Sequence, residues 1–331
     1  MRTRMRTIAA LALILCAVAA TPQAYQPPRH TARSIELASG SPLDVARRAD
    51  AGTQIERDRA PAAELDEHRK LDRALRALTP QRAGTVDAYV VSIALDSDPV
   101  FGREARAAGA VLQRRYGAVG KTIVLAGSDG AAPSTLPRGS PATLAIALAR
   151  VAELMDKRED VLVLYTTSHG SPMGLYYNDG DSGFGFVSPN RLHAMLDQLG
   201  LANRLLILSA CYSGVFVPRL RSAGSAIITA ASHDRTSFGC VAQNDWTYFG
   251  DAMINHALRR PQSLVAAFTE ARTLVGEWEA QSRVMPSQPQ FYLGGETSRW
   301  LSAIERRVPP TATQPIGRPA IESTLAASPA R

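Results

Sequence analysis

The sequence is poor in cysteine. It has three among 331 residues, and one of them, Cys16, sits in an apolar N-terminal stretch. A small scaffold stapled by several disulfides is therefore excluded. No apolar run reaches the ~20 residues of a membrane-spanning helix, and "IAALALILCAVAA" (8–20) falls short of it. No block of like charge occurs. The basic residues, nearly all arginine, are mixed with acids, as in "ARRADAGTQIERDRA" (46–60). That mixture reads as a solvated helix face and argues against nucleic-acid binding. Ser213 has no G-x-S-x-G around it, which excludes a serine-hydrolase elbow. Asp179 and Asp181, in "YYNDGDSGFG" (176–185), lack the closing Glu of a calcium loop, so the stretch reads as a turn over a cleft.

What is present begins with an export signal. Arg2, Arg4 and Arg6 precede the apolar stretch, and "AVAA" offers small residues for cleavage near Ala20. Cys16 follows the bulky Leu15 and reads as an ordinary signal residue rather than a lipid-attachment site. The expected location is periplasmic or secreted. Removing three arginines takes the formal charge from +7 to +4 (7 − 3). It leaves Cys211 and Cys240, 29 positions apart (240 − 211). Cys211 is then half of a bridge, a buried small hydrophobe, or a reactive thiol. The organisation expected is a signal peptide at 1–20, a linker at 21–42 and a helical segment at 43–80. An α/β domain at 85–302 and a disordered Pro/Ala-rich tail at 303–331 complete it. The 43–80 segment lacks a continuous apolar stripe and reads as an appendage, a pro-segment or docking arm.

Within the domain, apolar β-branched runs alternate with helical patterns. "VDAYVVSIAL" (86–95), "KTIVLAG" (121–127), "DVLVLYTTSHG" (160–170), "RLLILSACYSG" (204–214) and "SAIITAA" (225–231) read as buried strands. Ser140-Pro141 and Ser188-Pro189 open capped helices. Continuous rather than alternating strands, spaced by helices, predict a mostly parallel sheet covered on both faces. Chemistry in such sheets gathers at the carboxyl ends of the strands. There the third strand ends in Ser168-His169-Gly170 and the fourth in Ala210-Cys211. If they are neighbours, imidazole and thiol share one crevice. A histidine in reach takes a thiol's proton, and the thiolate attacks a peptide carbonyl. The N–H groups of Gly170 and Cys211 could then hold the oxyanion. The other reading of His169 is a turn histidine bonded to backbone. His233 is the rival base and reads as an exposed loop residue; His193 and His256 fall in helices.

"VLVLYTTSHGS" followed by "LLILSACYSG" resembles the His-Gly and Ala-Cys signatures of the caspase-related cysteine peptidases, most closely the legumain-like family and its exported bacterial members. "ITAASHDRTSFGC" (228–240), "TYFGDA" (247–252) and "PSQPQFYLG" (286–294) resemble later segments of the same family in the same order. The resemblance implies a caspase-like fold, His169 as general base and Cys211 as nucleophile, with no metal or cofactor. It also implies a pocket for the residue before the scissile bond. In that pocket Arg103 matches the family's arginine, Asp251 one of its two acids and Ser237 its serine. Ser209 stands where the second acid is expected, and Phe101-Gly102 replace the family's Asn before the arginine. The implied function is a cysteine endopeptidase acting on peptide or protein substrates, with cleavage after Asn or Asp left open. A transpeptidase or ligase using the same acyl-enzyme, and an inactive peptide-binding module, are the alternatives.

Overall fold

The computed structural model describes residues 29–31, 37, 39–127 and 134–322. The export signal, most of the linker and the end of the tail lie outside the described residues. Helix α1 (Pro42–Ala51) opens with a capping box: Ser41 accepts from the Asp44 N–H, and Asp44 accepts from the Ser41 N–H. Strand β1 (Gln54–Glu56) and helix α2 (Pro61–Arg76) follow. The expected helical arm is thus interrupted. Ile55 pairs with Phe184 in an antiparallel ladder, so the arm supplies an edge strand to the domain.

The domain continues with β2 (Ala88–Ala94), α3 (Pro99–Tyr116), β3 (Thr122–Leu125), α4 (Pro141–Leu154) and β4 (Val161–Thr167). Then come β5 (Gly170–Ser171), β6 (Gly174–Asn178), β7 (Gly183–Val187), α5 (Pro189–Gln198), β8 (Arg204–Ser209) and β9 (Ser225–Thr229). An irregular helical stretch (248–259) leads to α6 (Leu264–Gln281), β10 (Gln290–Leu293) and α7 (Ser298–Glu305). The main sheet has the order β10-β9-β8-β4-β2-β3; only β10 runs antiparallel to its neighbour. The expected α/β architecture is present. Every residue of β2, β4, β8 and β9 is buried, which is why these strands read as unbroken apolar runs.

Side chains alternate across the sheet. Val163, Leu205 and Ile207 meet Ala108 and Leu112 of α3 and Ala267 of α6 in one core. Leu162, Leu164, Leu206 and Leu208 meet Leu144 and Leu148 of α4 and Leu192 of α5 in the other. Ser140 caps α4 through the Thr143 N–H and Ser188 caps α5 through the Arg191 N–H, each ahead of a proline. Strands β1, β7, β6 and β5 form a second, antiparallel sheet. The stretch read as a turn over the cleft is instead a hairpin, because Tyr177, Phe184 and Phe186 bury their rings. Among the described residues no helix is long and apolar enough to cross a membrane.

The tail also departs from expectation. Its Pro/Thr/Ala composition suggested disorder, yet residues to 322 lie along the domain as a strap. The Ile316 carbonyl accepts from Trp246 Nε1 (2.8 Å) and Asn255 Nδ2 (3.0 Å). The Ala320 N–H donates to the buried Asp251 carboxylate at 2.8 Å. Its anchors are distant in sequence and invisible to composition. Truncation after Arg306 leaves that carboxylate and the Trp246 N–H without these partners, at about 1–3 kcal/mol for each buried group. The melting temperature should fall by about 5 °C or more in a calorimetric scan; an unchanged Tm would show that the strap adds nothing.

Candidate active site

Register creates the site. Thr167, the last residue of β4, pairs with Ser209, the last of β8, and the Ser168 N–H donates to the Ser209 carbonyl at 3.2 Å. Each strand then runs two residues further, to His169 and to Cys211. A Cβ added at Gly170 would lie 2.1 Å from the Cys211 carbonyl oxygen, so only glycine lets the two strand ends touch. The residue after the cysteine, Tyr212, has φ 56°, a left-handed conformation disfavoured for a side chain of this size. The Tyr212 N–H donates to the Arg235 carbonyl at 2.8 Å, which ties this sharp turn to the 232–237 loop.

The thiol is half-buried and free of any disulfide, as is Cys240. The Ser237 N–H donates to Cys211 Sγ at 3.2 Å. The neighbouring Cys240 thiol is the largest influence on Cys211. Together with the Ser237 N–H and the His169 charge it outweighs the cost of burial and holds the Cys211 thiol at about 6. The same contact, with burial, pushes the Cys240 thiol up, so Cys240 remains the proton donor of the pair. For His169 burial disfavours the charged ring, but Asp98, Asp96 and Cys211 together raise its pKa. At neutral pH the site therefore favours thiolate and imidazolium over two neutral groups.

Two acids behind the histidine were not foreseen. Asp98 Oδ2 lies 3.7 Å from His169 Nε2, an ion-pair distance. Asp98 is the N-cap residue of α3, and the His169 ring, with His30 beside it, lowers its pKa. Asp96, 2% exposed, accepts from the Asp98 N–H with one oxygen, while its Oδ2 has no partner. Burial pushes Asp96 up to about 6. Phe101 stacks edge-on against the His169 ring at 5.0 Å and restricts its tilt. The available signal was "DSD" directly after a buried strand. Its position at the carboxyl end of β2 marks the topological switch point between β2 and β4. His30, Asp96 and Asp98 bring donor atoms within 4.8 Å of one another. Asp98 is shared between His30 (3.5 Å) and His169, and Asp96 acts on His169 through its charge.

The expected specificity pocket is only partly assembled. Arg103 is half-buried and donates to the carbonyls of Ala242 (2.6 Å) and Asn244. The acid facing it is Asp245, at 3.5 Å. Ser237 lies at the crevice, with its backbone on Cys211. Asp251 does not join them. It is fully buried, with its carboxylate bound by Asn255 and the Ala320 N–H beneath the strap. Ser209 is also buried, and its hydroxyl donates to Glu104 Oε1 at 2.9 Å instead of facing the crevice. Asp245 was missed because nothing in "QNDW" distinguishes it from a surface loop. His233 is exposed on its loop beside Asp234, as expected. Asp179 pairs with Arg59 (2.6 Å), and Asp181 accepts from the Thr31 N–H (2.6 Å).

The electrostatics give a measurable expectation. With a thiol near 6, thiolate outnumbers thiol roughly tenfold at pH 7. Alkylation of Cys211 against pH, read by mass spectrometry, should show a midpoint near 6. The C240A variant should move it up towards the ~8.5 of a free thiol. A wild-type midpoint already near that value contradicts the arrangement.

Comparison with known proteins follows the same lines. Residues 142–295 match the model of the Peptidase C13 family. No curated protein sequence matches the chain. Among solved structures, caspase-1 from Spodoptera frugiperda is similar at 13% identity over 65% of this chain and 92% of that chain, with a TM-score of 0.42. That likeness is slight and carries no argument. Residues 142–295, which carry both His169 and Cys211, are thus similar to the Peptidase C13 (legumain) family, and the match supports cysteine peptidase activity.

Proposed function

We propose that the protein is an endopeptidase in which Cys211 and His169 are the reacting pair. The observation that carries this reading is their placement two residues beyond one paired position of adjacent parallel strands, with electrostatics that favour thiolate beside imidazolium. The Cys211 thiolate attacks the scissile carbonyl, forming a carbon–sulfur bond and an oxyanion. Gly170 N–H and Cys211 N–H, on the two touching strand ends, receive that charge. His169 gives its proton to the leaving amine as the carbon–nitrogen bond breaks. Water then loses a proton to His169 and attacks the thioester; carbon–oxygen forms and carbon–sulfur breaks, returning the thiolate. Asp98 holds the ring and stabilises its charge throughout.

For the residue before the scissile bond, Arg103 offers donors and Asp245 an acceptor. A side-chain amide matches both, with its carbonyl on Arg103 and its NH₂ on Asp245. Asparagine is therefore the proposed preference. Export, read from residues 1–20, is part of the same proposal and places the substrate outside the cytoplasm.

Cys211→Ala should reduce cleavage of a peptide library by about a thousandfold or more, to background. Cleavage that persists in this variant overturns the nucleophile. Among otherwise identical peptides, Asn should exceed Ala before the scissile bond by at least ~10-fold in kcat/KM. Equal rates overturn the pocket. Product masses in the presence of an added amine peptide separate hydrolysis from transpeptidation.

A further inference from the structure

Glu104 is the residue of α3 that follows Arg103, and it is fully buried. Its Oε1 accepts from the Tyr165 hydroxyl, from Thr167 Oγ1 at 2.8 Å and from Ser209 Oγ at 2.9 Å. Its Oε2 accepts from the Thr247 N–H at 2.8 Å. All four donors are neutral, and no ion pair to Glu104 occurs among the described residues. A buried carboxyl group held this way depends on every partner being in place.

The partners are not arbitrary positions. Thr167 and Ser209 face each other across β4 and β8. They are the residues from which the chain steps out to His169 and Cys211. Thr247 begins the segment that carries Gly250, and its hydroxyl accepts from the Gly250 N–H at 2.9 Å. A Cβ at Gly250 would lie 2.1 Å from Glu104 Oε2, so the segment is pressed directly onto the carboxylate. One side chain thus gathers α3, both reacting strand ends and the 247–250 turn.

We propose that Glu104 is a positioning residue that fixes the ends of β4 and β8 relative to each other and thereby the approach of His169 to Cys211. This rests on Cys211 and His169 being the reacting pair. Parallel strands hold register through their backbone bonds, but those bonds stop where the strands leave the sheet. The ladder between β4 and β8 ends at Thr167 and Ser209, with one further bond from the Ser168 N–H to the Ser209 carbonyl, and the carboxylate grips both chains at that point. Glu104 also faces Cys240 and, through its charge, helps keep that thiol protonated. A displacement of about 1 Å between reacting groups can cost ~100-fold in rate.

The test compares wild type, Glu104→Gln and the double variant Thr167→Val/Ser209→Ala, the last removing two arms of the clamp while leaving the carboxylate. In each, peptide kcat and KM, the rate of Cys211 alkylation by iodoacetamide at pH 7, and the Tm are measured. Both variants should lose about 10–100-fold in kcat, with KM changed less than about threefold and alkylation slowed, in protein that remains folded. Wild-type kcat and alkylation in either folded variant overturn the proposal. If Glu104→Gln does not fold, the double variant decides alone. Alkylation needs no peptidase activity. If wild type cleaves nothing but alkylation slows in the variants, the clamp stands and the endopeptidase reading falls.

Discussion

The parallel pairing of β4 with β8 is the constraint on which the rest of this structure depends. Leucines 162 and 164 on one strand and 206 and 208 on the other lock the register from one core, and Val163, Leu205 and Ile207 from the opposite core. A slip of one residue would turn each apolar side chain to the other core and move the histidine away from the thiol. The fold therefore sets the chemistry through its most buried elements. The proposed reacting groups, His169 and Cys211, sit just beyond them, where the backbone is released from the ladder and can turn outward. Gly170 and Tyr212 mark that release, one by the absence of a side chain and the other by a left-handed backbone.

A second constraint is charge. A half-buried site disfavours separated ions, and burial works against both the thiolate and the imidazolium here. The ions are favoured because each has near partners. Asp98, itself at the positive end of α3, and the deeper Asp96 face the ring, while the Cys240 thiol and the Ser237 N–H face the sulfur. The cysteines sharing this loop environment thus have opposite tendencies, one easily deprotonated and the other held protonated. The Glu104 carboxyl group lies buried against both strand ends and is held by four neutral donors.

Much of this was legible in the sequence where the signal is local. Buried strands write themselves as continuous apolar runs, and serine–proline pairs marked the starts of α4 and α5. His169 and Cys211 were legible because each directly follows such a strand. Contacts made across the chain were not. Asp98 and Asp96 look like a polar turn until β2 is placed beside β4. Asp251 matches a family pattern, but its direction depends on how the irregular helix after Thr247 is wound, and it points to the strap instead of to Arg103. Asp245 is the acid that pairs with Arg103, with no pattern to announce it. The strap itself has the composition of a disordered tail, because its anchors Trp246, Asp251 and Asn255 lie far away in sequence. Glu104 reads as a charged helix residue, and only the packed structure shows it with no solvent contact.

The central claim is that the ends of β4 and β8 form one reacting site around Cys211 Sγ. The most direct measurement is a crystal structure of the protein after reaction with a peptide aldehyde. The account predicts a covalent bond between Cys211 Sγ and the former aldehyde carbon, with the new oxygen about 2.7–3.1 Å from the Gly170 and Cys211 nitrogens. It also predicts His169 within reach of that adduct and still facing Asp98. Attachment at Cys240, or an adduct oxygen turned away from both backbone nitrogens, would contradict it.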